Sequence, residues 1–95
     1  MSTLTEDEIA TALAGLPGWS ADAEAITKTY EFADFRAALD FMNRAAGPIE
    51  EADHHPEWTN VYNRVEVRLS SHDVGGVTDR DTKLATVLER VAGAI

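Results

Sequence analysis

The chain predicts an α+β fold: a four-stranded antiparallel sheet with three helices packed on one face, in the order α-β-β-α-β-β-α. Apolar residues recur at helical spacing in three separate stretches, and between them apolar and polar residues alternate with period two. Short turns separate the strands of each pair, as antiparallel neighbours require. No linker, repeat or low-complexity tract interrupts the ninety-five residues, so a single domain over 1–95 is expected.

The first helix has a complete start, with Thr5 as N-cap, Glu8 closing a capping box and Leu4 placed to staple onto Ile9. Ile9, Ala12, Leu13 and Leu16 form its apolar stripe, and Gly15 and Pro17 stop it. Pro17-Gly18-Trp19-Ser20 reads as a short strand and Asp22-Ala23-Glu24 as a turn into a second. There Ile26, Tyr30 and Phe32 share one face and Thr27, Thr29 and Glu31 the other, while Lys28 interrupts the apolar side and suggests an edge or end position. A second helix starts at Asp34, with Phe35, Ala38, Leu39, Met42, Ala46 and Ile49 at helical spacing. Pro48 removes one backbone donor and should kink the last turn. The helix delivers Glu50, Glu51 and Asp53 towards His54 and His55 at an end where the dipole disfavours acids, so their placement invites a reason other than helix stability. Trp58 to Tyr62 and Val65 to Ser70 read as a hairpin about Asn63-Arg64, with Val65, Val67 and Leu69 alternating with Glu66, Arg68 and Ser70. Residues 71–76 form a loop, in which Gly75-Gly76 answers a demand for positive φ. Thr78 and Asp81 then cap a last helix carrying Leu84, Val87, Leu88, Val91 and Ile95.

Composition narrows the function. Ninety-five residues bury roughly 65% of the surface of the unfolded chain, enough for one core. Seventeen acidic against eight basic residues give a net charge of -9, which argues against nucleic-acid binding, since phosphate contacts need clustered Lys and Arg. The absence of cysteine excludes disulfides, thiolate catalysis and Cys-ligated zinc. The segment from Met1 to Glu8 has neither a basic nor an apolar leader region, and no later apolar run could span a bilayer, so a cytoplasmic protein without a membrane role is expected.

All three histidines fall around two loops, in Asp53-His54-His55-Pro56-Glu57-Trp58 and Ser71-His72-Asp73. His55 precedes a proline and is biased to extended geometry, so His54 and His55 should point to opposite sides and do different jobs. A metal site would prefer ligands on a common face and lacks a second spaced pair here, which makes it the weaker functional reading. Acid-base catalysis suits the cluster better, because imidazole gives or takes a proton near neutral pH. Glu50, one helical turn before His54, could orient an imidazole or raise its pKa. Taken singly, each histidine is better explained by a helix end or a strand end; taken together with their surroundings, they read as a set.

Those residues carry a resemblance. Glu50-x-x-x-His54-His55-Pro56-x-Trp58, then Val61-Tyr62-Asn63-x-Val65, then the run from Leu69 through His72-Asp73-x-Gly75-Gly76-Val77-Thr78-x-Arg80-Asp81 to Ala85, are similar to the pterin-4a-carbinolamine dehydratases. Weaker matches extend upstream through Gly18-Trp19 and Phe32-x-x-Phe35-x-x-Ala38-x-x-Phe41. The resemblance implies a hydro-lyase that converts 4a-hydroxytetrahydropterin, left by an aromatic amino acid hydroxylase, to quinonoid dihydropterin and water, with no metal or organic cofactor. It places the catalytic set on His54, His55, His72 and Glu50, with His55 and His72 exchanging protons and His54 more a binding and orienting group. It also implies substrate contacts along His54, His55 and Pro56 and along Ser71, His72, Asp73 and Val74. Trp19 or Trp58 could lie near the flat pterin ring, or either could simply pack in the core or on the sheet face. Ser71 stands where the family usually has threonine and keeps the hydroxyl, and Pro48 enters a helix that normally has none. Asp81 reads as a helix cap and Arg80 as a salt-bridge or interface group. The resemblance further implies a homodimer or homotetramer. A non-catalytic binding module, either a dimerisation cofactor or an assembly factor, is the alternative, and retention of all three histidines favours the enzyme.

Overall fold

The computed structural model describes residues 2–95; Met1, where the N-terminal reading begins, lies outside them. Helix α1 spans Glu6–Leu13, α2 Phe35–Ala52 and α3 Asp79–Gly93; strand β1 spans Ser20–Ala21, β2 Ile26–Glu31, β3 Glu57–Val61 and β4 Arg64–Leu69. The strands make one antiparallel sheet in the order β1-β2-β4-β3, so the expected architecture holds.

Register explains the division of the sheet faces. Tyr30 pairs with Val65 and Ile26 with Leu69, which puts the alternating apolar residues of β2 and β4 on the helix side. Ile26, Val65, Val67 and Leu69 are completely buried there, against Ala38, Phe41, Ala45 and Ile49 of α2 and Leu84, Ala85 and Leu88 of α3. Thr29, Glu31, Glu66, Thr59 and Val61, on the opposite face, are exposed. Phe41 is the hub of the core, with ring centroids 5.0 Å from Tyr30, 5.1 Å from Phe32 and 6.3 Å from Trp58.

That hub sets the rotation of α2, which differs from the sequence expectation. Ala38, Phe41, Ala45 and Ile49 face inward and Met42 is half-buried, while Ala46 is exposed and Phe35 and Leu39 are 46% and 41% exposed. Both sets have helical spacing, but only the Phe41 face meets the aromatic residues of β2 and β3. The helix runs through Pro48 and ends at Asp53, a left-handed cap with φ 48 whose N–H bonds the Glu50 carbonyl. α1 keeps its predicted capping box, with Thr5 N bonding Glu8 Oε1 at 2.9 Å and Glu8 N bonding Thr5 Oγ1 at 3.1 Å. None of its residues is fully buried, and it docks through half-buried Leu4, Ile9 and Leu13.

Two local expectations are corrected. The strand expected over residues 17–20 shrinks to Ser20–Ala21, because Gly18 adopts φ 82 and turns the chain ahead of it. The hairpin loop is Tyr62-Asn63, with Arg64 already paired to Val61. Asn63 serves a longer reach, bonding the Phe32 carbonyl through Nδ2 at 2.9 Å. Lys28 lies just past Ile26 and Thr27, the two β2 residues that β1 covers, so that side of the strand is an open edge there, as expected. It is accommodated by Glu89 at 2.5 Å and by the Pro17 carbonyl at 2.7 Å.

Candidate active site

Antiparallel pairing of Glu57 with Arg68 puts the entrance of β3 beside the exit of β4. The segments carrying His54-His55-Pro56 and Ser71-His72 therefore leave the same end of the sheet. The first turn of α3 closes against that end, bonded to His54 through Asp81 and to Ser71 through both Thr78 and Asp81. Ordinary strand topology thus brings the two histidine-bearing loops and the start of one helix to the same end of the sheet.

Within this group each imidazole has its own carboxylate. His54 is buried, with Nε2 2.5 Å from Asp81 Oδ1. His55 is exposed, with Nε2 2.5 Å from Glu50 Oε1. His72 is exposed, with Nε2 3.0 Å from Glu57 Oε1. The opposite environments of His54 and His55 follow from the left-handed turn at Asp53 and the extended geometry imposed by Pro56. Glu50 sits in the last turn of α2, which runs through Pro48 to Ala52, within reach of His55 just beyond the helix end.

The protons around Asp81 can be assigned from donor inventory. Its Oδ2 accepts from the Thr78 N–H and the Ser71 hydroxyl, each at 2.9 Å. Since the Ser71 proton is used there, Thr78 Oγ1 donates to Ser71 Oγ across 2.8 Å and itself accepts from Arg80 N at 3.2 Å. A carboxylate so surrounded is an acceptor only, which makes His54 Nε2 the donor. Asp81 is completely buried, so this arrangement holds the imidazole in one orientation and one tautomer.

The His72 loop is closed by a bridge between Ser71 and Gly76, with Ser71 N bonding the Gly76 carbonyl at 2.8 Å. Gly75 takes φ 72, as expected. Gly76 does not; its constraint is space, since an added Cβ would lie 2.9 Å from Thr3 Cγ2. Asp73 receives Arg80 Nη2 at 2.6 Å, and that hydrogen bond holds its carboxyl below the usual range. Val74 and Pro56 are half-buried, and Val74 N bonds the Ser71 carbonyl at 3.1 Å.

The two tryptophans separate. Trp58 is half-buried on β3 and lines an open cavity of about 470 Å³ with Pro56, Glu57, Thr59, Glu66 and Arg68. Trp19 is a core residue, edge-on to Tyr30 and donating its indole N–H to Glu89 Oε1 at 2.9 Å, which is the packing alternative of the sequence reading. Two carboxylate partners of the histidines are absent from the sequence reading. Glu57 gives no local sign of meeting His72, and Asp81 shows only its role as a cap, with its His54 bond lying 27 residues away. Among the described residues, no three His, Cys, Asp or Glu side chains cluster to hold a metal, and no helix is long and apolar enough to cross a membrane.

The structure is thus a small α+β protein, one antiparallel sheet and three helices, with two histidine-bearing loops at one end of the sheet. Residues 2–91 match the family described as pterin 4 alpha carbinolamine dehydratase. A relative named for that dehydratase in Nitrobacter winogradskyi is 56% identical over 84 residues, 86% of this chain and 83% of its own. Another in Burkholderia vietnamiensis is 51% identical over 90 residues, 93% of this chain and 88% of its own. A crystal structure titled transcriptional coactivator/pterin dehydratase from Brucella melitensis superposes with a TM-score of 0.93 at 47% identity, covering 97% of this chain and all of that one. A pterin dehydratase-like RuBisCO assembly factor of the alpha-carboxysome shares the fold, with a TM-score of 0.66 at 17% identity over 79% of this chain and 87% of its own. The chain belongs to the pterin-4a-carbinolamine dehydratase family, whose enzymes are hydro-lyases.

Proposed function

We propose that this chain dehydrates 4a-hydroxytetrahydropterin to quinonoid dihydropterin by histidine acid-base catalysis, in the recycling of tetrahydropterin used by an aromatic amino acid hydroxylase. The observation that supports this reading is that the two histidine segments leave the same end of the sheet, with His54 and His55 hydrogen-bonded to Asp81 and Glu50 and His72 lying 3.0 Å from Glu57. In the reaction, a base takes the N5 proton, the C4a–N5 double bond forms, and the C4a hydroxyl leaves as water with a proton from an acid. One proton is removed and one is supplied, so a pair of imidazoles completes the turnover without a cofactor. His55 and His72 are solvent-accessible and suit that exchange; His54, buried on Asp81, suits holding and orienting the substrate. Glu50 and Glu57 orient the two exposed rings. The backbones of His54, His55, Pro56, Ser71, His72, Asp73 and Val74 supply the remaining contacts, with Trp58 beside the ring. The protein acts in the cytoplasm as a homodimer or homotetramer, for which exposed Phe35 and Leu39 on α2 and Val61 on the outer strand β3 are available surfaces.

The name of the Brucella structure and the exposed apolar residues of α2 support a second reading, a protein-binding role that uses the fold without the histidines. Absorbance of freshly generated 4a-hydroxytetrahydropterin separates the two. Native protein should accelerate dehydration well beyond the spontaneous rate, and His55→Ala and His72→Ala should each lose about a hundredfold or more. A native rate equal to buffer would remove the dehydratase reading and leave the binding role.

A further inference from the structure

We propose that Arg80 is a positioning residue, tying the first turn of α3 to Asp73 and thereby fixing the His72 loop relative to His54. The inference deepens the dehydratase reading and rests on it. Arg80 stands two positions after the cap Thr78, where the helix dipole disfavours a cation. Its Nε is buried and has no partner among the described residues, which is a second cost. A shorter neutral side chain would avoid both. What the arginine gains is reach: Nη2 meets Asp73 Oδ1 at 2.6 Å, on the residue next to His72.

The consequence is a grip on both histidine segments from one helical turn. Asp81 holds His54, Thr78 holds Ser71 at the base of the His72 loop, and Arg80 holds Asp73 beyond that base. Arg80 also lines, with His54, a cavity of about 230 Å³ between α2 and α3, so the same side chain borders the buried imidazole. Asp73 is 64% exposed, and an ion pair open to water on that side adds little to stability. Its value lies in where it keeps the loop.

The test uses the full chain with Arg80→Gln and Asp73→Asn, and Arg44→Gln as a control on the exposed Arg44–Asp40 pair of α2. Asp73→Asn changes an exposed carboxylate and leaves the Arg80 side chain in place, so it reports even if Arg80→Gln folds poorly. Both site variants should move the His72 ring resonances in NMR spectra without substrate and leave those of His55 in place. They should lower kcat by about tenfold to a hundredfold, as small misplacements of a catalytic group do, with little change in melting temperature. The double variant should be no slower than the slower single, because one link is broken in all three. His72 resonances at their native positions in Asp73→Asn, or a native kcat, overturn the proposal. If native protein fails to accelerate dehydration, the dehydratase reading falls by itself, and the His72 resonances alone decide the link.

Discussion

Asp81 receives protons from three directions, Thr78 N–H, Ser71 O–H and His54 Nε2–H, and has no exposure to water. At this scale a single atom matters. In Asp81→Asn one acceptor oxygen becomes a donor amide, so a donor must face a donor or His54 must switch tautomer. We expect kcat to fall by about a hundredfold or more, as when a histidine loses the carboxylate that fixes its tautomer, and stability to fall by about 1–3 kcal/mol. Steady-state kinetics beside a thermal melt would show both; native kcat in a folded Asn variant would contradict the orienting role of Asp81. The cap half of that role was legible, because Thr78 and Asp81 have the spacing of a capping box. The His54 half was not, since a contact across 27 residues leaves no periodic trace. The divergence of His54 and His55, by contrast, was readable from Pro56 alone.

Elements are joined by a second, half-buried carboxylate away from the histidines. Glu89 Oε1 on α3 accepts from Trp19 Nε1 at 2.9 Å, Lys28 Nζ at 2.5 Å and Tyr30 Oη at 2.8 Å, so one oxygen links α3 to β2 and to the residue preceding β1. Burial and the nearby Glu89 push the Tyr30 hydroxyl far above the usual phenol range, which keeps it a donor. Burial pushes the Glu89 carboxyl up, but the hydrogen bonds from Lys28, Tyr30 and Trp19 outweigh it and leave it below the usual range. A carboxyl depressed on folding contributes stability above its unfolded pKa and loses it as pH falls through the folded value. Glu89→Gln should therefore cost about 1–3 kcal/mol at neutral pH, with Lys28 deprived of its counter-charge, and its stability should fall less steeply than native below about pH 4. Denaturant melts followed by Trp19 and Trp58 fluorescence would measure this; parallel native and Gln curves across acid pH would refute it. At this scale the sequence was legible in part. Element order, the caps of α1 and α3 and the alternating face of β4 were readable from local pattern. The rotation of α2 and the pairing of Lys28 with Glu89 were not, because Phe41 and Glu89 act through partners on other elements.

For the whole molecule, the sheet order β1-β2-β4-β3 does the work of assembly: it places the entry to β3 and the exit from β4 at one end and lets α3 close over both. The two histidine segments, seventeen residues apart from His55 to His72, meet there for the same reason. Which histidines form a set was visible in the chain, but which carboxylate serves each ring required the fold; Glu57 in particular reaches His72 only through strand pairing. The central claim is that His55 and His72 work as one acid-base pair on a bound pterin. Its most direct test is the dehydration rate of native protein, His55→Ala, His72→Ala and the double variant, measured on the same freshly generated 4a-hydroxytetrahydropterin. Groups acting as a unit predict a double variant about as slow as the slower single. Losses that multiply, or a native rate no faster than buffer, would contradict the account.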